Sequence, residues 1–113
     1  MAFANSGYSP SGPRVMRAET AESMLTLLER VTSDADGTGR AARIEGVRVA
    51  GKTGTTRSRP TSTAKSHYAS FVGIVPADAP RFVILVGVDG VAGAGGTVAA
   101  PVFAAIAARA LGR

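Results

Sequence analysis

The sequence predicts an α+β fold: an antiparallel sheet with three strands, flanked by helices, in a single domain spanning residues 1–113. Three observations carry this reading. Apolar residues recur at helical spacing near both ends of the chain, and three strand-like runs lie between them. No crossover helix separates those runs, so neighbouring strands are expected to be antiparallel. Helices packed on such a sheet define the α+β class, and 113 residues suit one core.

The elements follow in order. Residues 1–16 are rich in turn residues, with Ser6-Gly7, Ser9-Pro10 and Ser11-Gly12-Pro13. Residues 19–32 read as a helix whose apolar stripe is Ala21, Met24, Leu25, Leu28 and Val31. Glu19 and Glu22 suit the positive end of its dipole, and Asp34 to Gly39 stops it. Residues 46–56 alternate, with Val47 and Val49 on one face and Arg48 and Ala50 on the other, as a strand requires. A polar loop with a proline covers 57–66, and a second strand covers 67–75. After a turn at 76–80 comes a third strand at 81–89, a nearly unbroken apolar run of the kind expected to be buried on both faces. A flexible loop is expected at 90–96, then a helix over 98–111 with Thr97 as its N-cap. Pro101 fits only a first turn, which moves the expected helix start towards Ala99.

Composition excludes several classes. There is no cysteine, hence no disulfide, thiolate zinc site or cysteine nucleophile. His67 is the only histidine, which rules out a multi-histidine metal centre and reads as a residue opening a strand. No apolar run is long enough to span a bilayer, and the N-terminus lacks a secretory pattern. No metal or cofactor is expected. The net charge is +5, concentrated in Arg40, Arg43, Arg48, Lys52, Arg57, Arg59 and Lys65 against Glu45 alone. That segment is either a solvated basic stretch or an anion site. It lacks the interleaved aromatics of a nucleic-acid surface.

Three motifs compete around this segment. Gly46 to Thr53 spells a phosphate loop, and Phe82 to Asp89 resembles an apolar strand ending in a magnesium-binding aspartate. A phosphate loop needs a helix opening at its Lys-Thr. Here Val47 to Ala50 favours extended backbone, and Gly54 with Pro60 leaves no room for a helix. Ser62-Thr63-Ala64-Lys65 spells the Ser-x-x-Lys nucleophile signature. That signature depends on one helical turn, and these residues fall in the loop between two strands. The third motif is Lys52-Thr53-Gly54-Thr55 on a strand. Period two puts Thr53 and Thr55 on one face, where two hydroxyls can bind a carboxylate, and Lys52 on the other. Gly54 removes bulk so that an extended peptide can approach, and the Thr55 amide is a candidate oxyanion donor.

With its neighbours, this tetrad resembles the C-terminal part of a class B penicillin-binding protein, the septal peptidoglycan D,D-transpeptidase type. The resemblance is carried by Phe3-Ala4-Asn5-Ser6-Gly7, Gly37-Thr38-Gly39-Arg40-Ala41-Ala42 and Val49-Ala50-Gly51-Lys52-Thr53-Gly54-Thr55. It continues through Tyr68-Ala69-Ser70-Phe71-Val72-Gly73, Pro76-Ala77-Asp78-Ala79-Pro80-Arg81 and Gly95-Gly96-Thr97-Val98-Ala99-Ala100-Pro101-Val102-Phe103. It implies a partial β-lactamase/transpeptidase-like fold. It also implies that Lys52 orders the catalytic hydrogen bonds and that Thr53 and Thr55 hold the terminal carboxylate of a D-Ala-D-Ala stem peptide or of penicillin. The Thr55 amide would be half of an oxyanion hole.

The chain also departs from the family pattern. Ser-x-x-Lys and Ser-x-Asn should precede Lys-Thr-Gly. The only asparagine is Asn5, preceded at minus two by Phe3, and the only Ser-x-x-Lys follows Lys52. The expectation is a truncated, split or mis-started chain, inactive alone, with the rest of the domain or divisome proteins as partners. The family works on the extracytoplasmic face of the membrane. The alternatives are a nucleotide-binding module and a non-catalytic structural fragment.

Overall fold

The computed structural model describes residues 12–57 and 66–113. Helix α1 (Ala18–Ser33) leads through a short 3-10 turn (Arg40–Ala42) into strand β1 (Ala50–Arg57). Strands β2 (His67–Val75) and β3 (Phe82–Val91) follow, and helix α2 (Gly95–Ala110) closes the chain. The sheet has the order β1-β2-β3, antiparallel throughout, so β1 and β3 are its edges among the described residues. The expected class, element order and pairing all hold.

The core lies between the sheet and α2. Ala99, Ala100, Phe103 and Ala107 recur on one helical face and are fully buried. They meet Phe71, Val75 and Val86 from β2 and β3. The alanines keep the helix close, and Phe103 fills the space above Gly73, where an added Cβ would stand 2.3 Å from its ring. The rings of Phe71 and Phe103 are 4.9 Å apart and tilted by 56°, a favourable edge-biased arrangement.

Several boundaries differ from expectation. β1 begins at Ala50 rather than 46, because Ile44 to Val47 forms a turn with Gly46 at φ 75°. β3 runs on to Val91, and α2 starts at Gly95, which leaves only 92–94 as a loop. Ala94, not Thr97, is the N-cap, and the Thr97 hydroxyl donates to the Ala94 carbonyl inside the first turn. Pro101 therefore sits within the helix, on its exposed side, and not in its first turn.

The expected two-sided burial of the third strand is also wrong. Phe82, Ile84, Val86 and Val88 turn towards α2, but Val83 and Leu85 are 70% and 66% exposed. An antiparallel sheet needs only one covered face. α1 packs against β1 and the 3-10 turn and does not reach β3. Its own stripe stays half-exposed for the same reason, with Met24 43% accessible. Among the described residues no helix is long and apolar enough to cross a membrane.

Much of the basic segment serves the fold. The Arg43 guanidinium donates to the carbonyls of Thr32, Ser33 and Asp34, which α1 leaves unpaired at its C-terminus. The buried Thr32 hydroxyl donates to the Val49 carbonyl at 2.7 Å and ties the end of α1 to the approach to β1. Arg48 forms a two-pronged pair with Glu29, both contacts at 2.8 Å. Those hydrogen bonds hold the Glu29 carboxyl below the usual carboxylate range.

A pH dependence follows. Because the folded-state pKa of Glu29 is depressed, its contribution is fully present above its unfolded value of about 4.3 and is lost as pH falls through the folded value. Glu29→Gln is expected to flatten the loss of stability between about pH 5 and pH 3, read from urea melts across that range. Identical pH slopes for the two proteins would rule the pair out as a contributor.

Candidate functional site

β1 is the edge strand that carries Lys52, Thr53, Gly54 and Thr55. Its register sets Thr53 opposite Phe71 and Thr55 opposite Ala69, on the face shared with α2. Lys52 pairs with Val72 on the other face, as the alternation predicts. Its ammonium is exposed and donates to the Thr53 carbonyl at 2.9 Å.

Thr53 and Thr55 open into a cleft of about 980 Å³, also lined by Thr38, Arg40, Gly96 and Thr97. The structure thus brings the two predicted hydroxyls into one cavity, and Lys52 is not among its lining residues. Gly54 has a local reason to lack a side chain, since an added Cβ would stand 2.6 Å from the Ser70 hydroxyl across the sheet.

Two neighbours complete the cleft. The Thr38 and Thr53 hydroxyls are hydrogen-bonded at 3.0 Å. The Gly95 amide, at the start of α2, donates to the Thr55 hydroxyl at 3.1 Å. Both approaches depend on glycine. Around Thr38, an added Cβ on Gly37 would stand 2.3 Å from the Val31 carbonyl, and one on Gly39 would stand 3.0 Å from the Phe71 ring. An added Cβ on Gly95 would lie 2.3 Å from the Ser70 carbonyl and 2.6 Å from that of Gly54.

The sequence motifs alone assign no role to Gly37-Thr38-Gly39 or Gly95-Gly96. The available signal was a lone hydroxyl between two glycines, a pattern that lets backbone come close. Arg40 lines the cleft while one of its nitrogens donates to the Ala35 carbonyl. Ser62-Thr63-Ala64-Lys65, Arg59, Lys65 and the Phe3 to Gly7 block lie outside the described residues.

The phosphate-loop spelling does not produce a phosphate site. Lys52 and Thr53 are strand residues, and β1 continues to Arg57, so no helix N-terminus opens where the phosphates would sit. Asp89 lies on β3, with β2 between it and Lys52.

Comparison with known proteins gives the family. The profile of the penicillin binding protein transpeptidase domain matches residues 7–108, and the chain belongs to that family. It is 44% identical over 94 residues to stage V sporulation protein D of Bacillus subtilis, covering 79% of this chain and 14% of that protein. It is 36% identical over 108 residues to a probable peptidoglycan D,D-transpeptidase, PenA, of Neisseria flavescens, covering 91% and 27%.

Solved structures agree. The transpeptidase domain of penicillin-binding protein 3 from Burkholderia pseudomallei is 41% identical with a TM-score of 0.78, covering 95% of this chain and 34% of that one. The transpeptidase domain of the D,D-transpeptidase FtsI4 from Legionella pneumophila is 40% identical with a TM-score of 0.72, covering 85% and 37%. The chain therefore spans between about a seventh and a quarter of the length of these two curated relatives.

Proposed function

We propose that this chain is the C-terminal portion of a transpeptidase domain and supplies the carboxylate-recognising wall of a serine D,D-transpeptidase that cross-links peptidoglycan. The observation that carries the reading is the pair of hydroxyls, Thr53 and Thr55, on one strand face at the mouth of one cleft. Two hydroxyl donors on adjacent same-face positions suit the two acceptor oxygens of a terminal carboxylate. In this reading they hold the C-terminus of a D-Ala-D-Ala stem peptide or the equivalent carboxylate of a β-lactam. The Thr55 amide contributes to an oxyanion hole, and Lys52 lends positive charge to the hydrogen-bond network.

The chemistry is acyl transfer. A serine oxygen attacks the carbonyl between the two D-alanines while its proton passes to a base. The tetrahedral oxyanion collapses and the terminal D-alanine leaves with a proton. The amine of a second stem peptide then takes the acyl group and releases the serine. No Ser-x-x-Lys precedes Lys52 in this chain, so the nucleophile comes from elsewhere in the domain. The site of action is the extracytoplasmic face of the membrane, with the remainder of the domain and division proteins as partners.

Titration of the ¹⁵N-labelled chain with N-acetyl-D-Ala-D-Ala tests the recognition step. Amide shifts are expected at residues 38, 53–55 and 94–97, and Thr55→Val is expected to weaken binding about 10–100-fold, the worth of a hydrogen bond to a charged group. Shifts confined to other surfaces would sink the reading. A fluorescent penicillin is expected to leave no covalent band on the 113-residue chain.

A further inference from the structure

We infer that Thr38 and the Gly95 amide are positioning groups that fix the direction in which the two recognition hydroxyls donate. This rests on the proposed carboxylate role of Thr53 and Thr55, and goes beyond it to residues in two other elements.

The argument starts with hydrogen-bond direction. The Gly95 amide can only donate, so the Thr55 oxygen accepts it at 3.1 Å. With that lone pair engaged, the Thr55 hydroxyl hydrogen is turned outward as a donor. Thr38 and Thr53 share a bond at 3.0 Å in which either hydroxyl can donate. A carboxylate accepts and never donates. Its arrival selects one order: Thr38 donates to Thr53, and Thr53 donates to the ligand. Each bond in such a chain polarises the next. Thr38 need not touch the ligand to set the strength of the Thr53 donor.

The backbone around both groups is built for this approach. Gly96 sits so close to Thr38 that an added Cβ would stand 2.2 Å from the Thr38 carbonyl, which joins the Thr38 loop directly to the start of α2. The Thr38 loop, β1 and the first turn of α2 therefore meet at one point and present both oriented hydroxyls to the same cleft. The cleft should consequently distinguish a carboxylate from the corresponding amide, whose nitrogen brings donors where acceptors are wanted.

The test uses the full chain and two probes, N-acetyl-D-Ala-D-Ala and its C-terminal amide, with affinities from NMR titration. Thr38→Val keeps the shape and removes the hydroxyl; Thr38→Ser restores the hydroxyl. Thr38→Val is expected to weaken the acid about fivefold, to leave the amide within about twofold, and so to reduce acid-over-amide selectivity. Thr38→Ser is expected to bring that selectivity back. In the unliganded protein, Thr55→Val is expected to move the Gly95 amide proton upfield and speed its exchange.

If wild type binds the acid and Thr38→Val changes acid and amide alike, the positioning role falls and the carboxylate reading stands. A Gly95 amide unmoved in Thr55→Val also overturns the inference. Absence of acid binding by wild type overturns both readings together. Should Thr38→Val unfold, Thr38→Ser against Thr38→Ala gives the same comparison at smaller volume change.

Discussion

Phe103→Ala is expected to lower the unfolding free energy by about 3–5 kcal/mol, the usual range for emptying a large aromatic site. The ring is fully buried, lies tilted against Phe71 with centroids 4.9 Å apart, and roofs Gly73. α2 owes most of its hold on the sheet to this residue, because its other buried positions are alanines and one glycine. Against a typical total of about 5–15 kcal/mol, such a loss approaches the whole margin. Urea denaturation followed by circular dichroism measures it. A companion change separates packing from propensity. Gly73→Ala pushes a methyl into the Phe103 ring and is expected to cost about 1–3 kcal/mol, but clearly less when Phe103 is already leucine. A cycle of the four proteins gives the coupling. Additive effects, or a loss below about 1 kcal/mol for Phe103→Ala, would show that α2 is not held through this contact.

The elements were legible because their periodicities are strong. The α1 stripe and the Tyr68 to Val75 run pointed to helix and strand, and both appear within a residue or so of the expected bounds. The errors cluster where a local rule met a tertiary one. The helix-breaking rule alone puts Pro101 in a first turn, yet only one intrahelical bond is lost on an exposed side, and the alanine-rich face buried against the sheet outweighs it. The apolar run from Phe82 to Asp89 suggests burial on both faces, since periodicity cannot tell how many layers cover a strand. Val83 and Leu85 answer that question, because among the described residues only β2 and α2 pack against β3.

The site was half legible for a related reason. Strand parity alone put Thr53 with Thr55 and set Lys52 apart, and the register agrees. The partners of those hydroxyls lie 15 and 40 residues away in sequence, on a glycine-flanked loop and at a helix start. Neither distance leaves a periodic trace. Likewise Arg43 and Arg48 stand in the sequence as members of a basic segment, but their guanidinium groups respectively close the end of α1 and pair with Glu29. The segment's charge was visible in the sequence; which arginines the fold had already engaged was not.

Gly95→Ala separates the local from the tertiary reading most sharply, because the two predict opposite signs. By helix propensity, alanine at a helical position is favoured over glycine by about 1 kcal/mol. By packing, the new methyl meets the Ser70 carbonyl at 2.3 Å, the Gly54 carbonyl at 2.6 Å and the Gly54 nitrogen at 3.0 Å. All three atoms belong to the backbone of paired strands, so none can rotate aside. The overlap is expected to win, with a net loss of about 1–3 kcal/mol. Relief requires the first turn of α2 to lift from β1, which lengthens the Gly95 amide bond to Thr55 and spreads the cleft. The variant should therefore show a lower melting temperature, altered amide shifts at Thr55 and Gly96, and weaker binding of N-acetyl-D-Ala-D-Ala. Gly12→Ala, where an added Cβ meets nothing within 4 Å, is the control and should stay within about 0.5 kcal/mol of wild type. A stabilised Gly95→Ala with unchanged cleft shifts would mean that α2 does not seat on β1 through this glycine, and that Thr55 takes its orientation from another group.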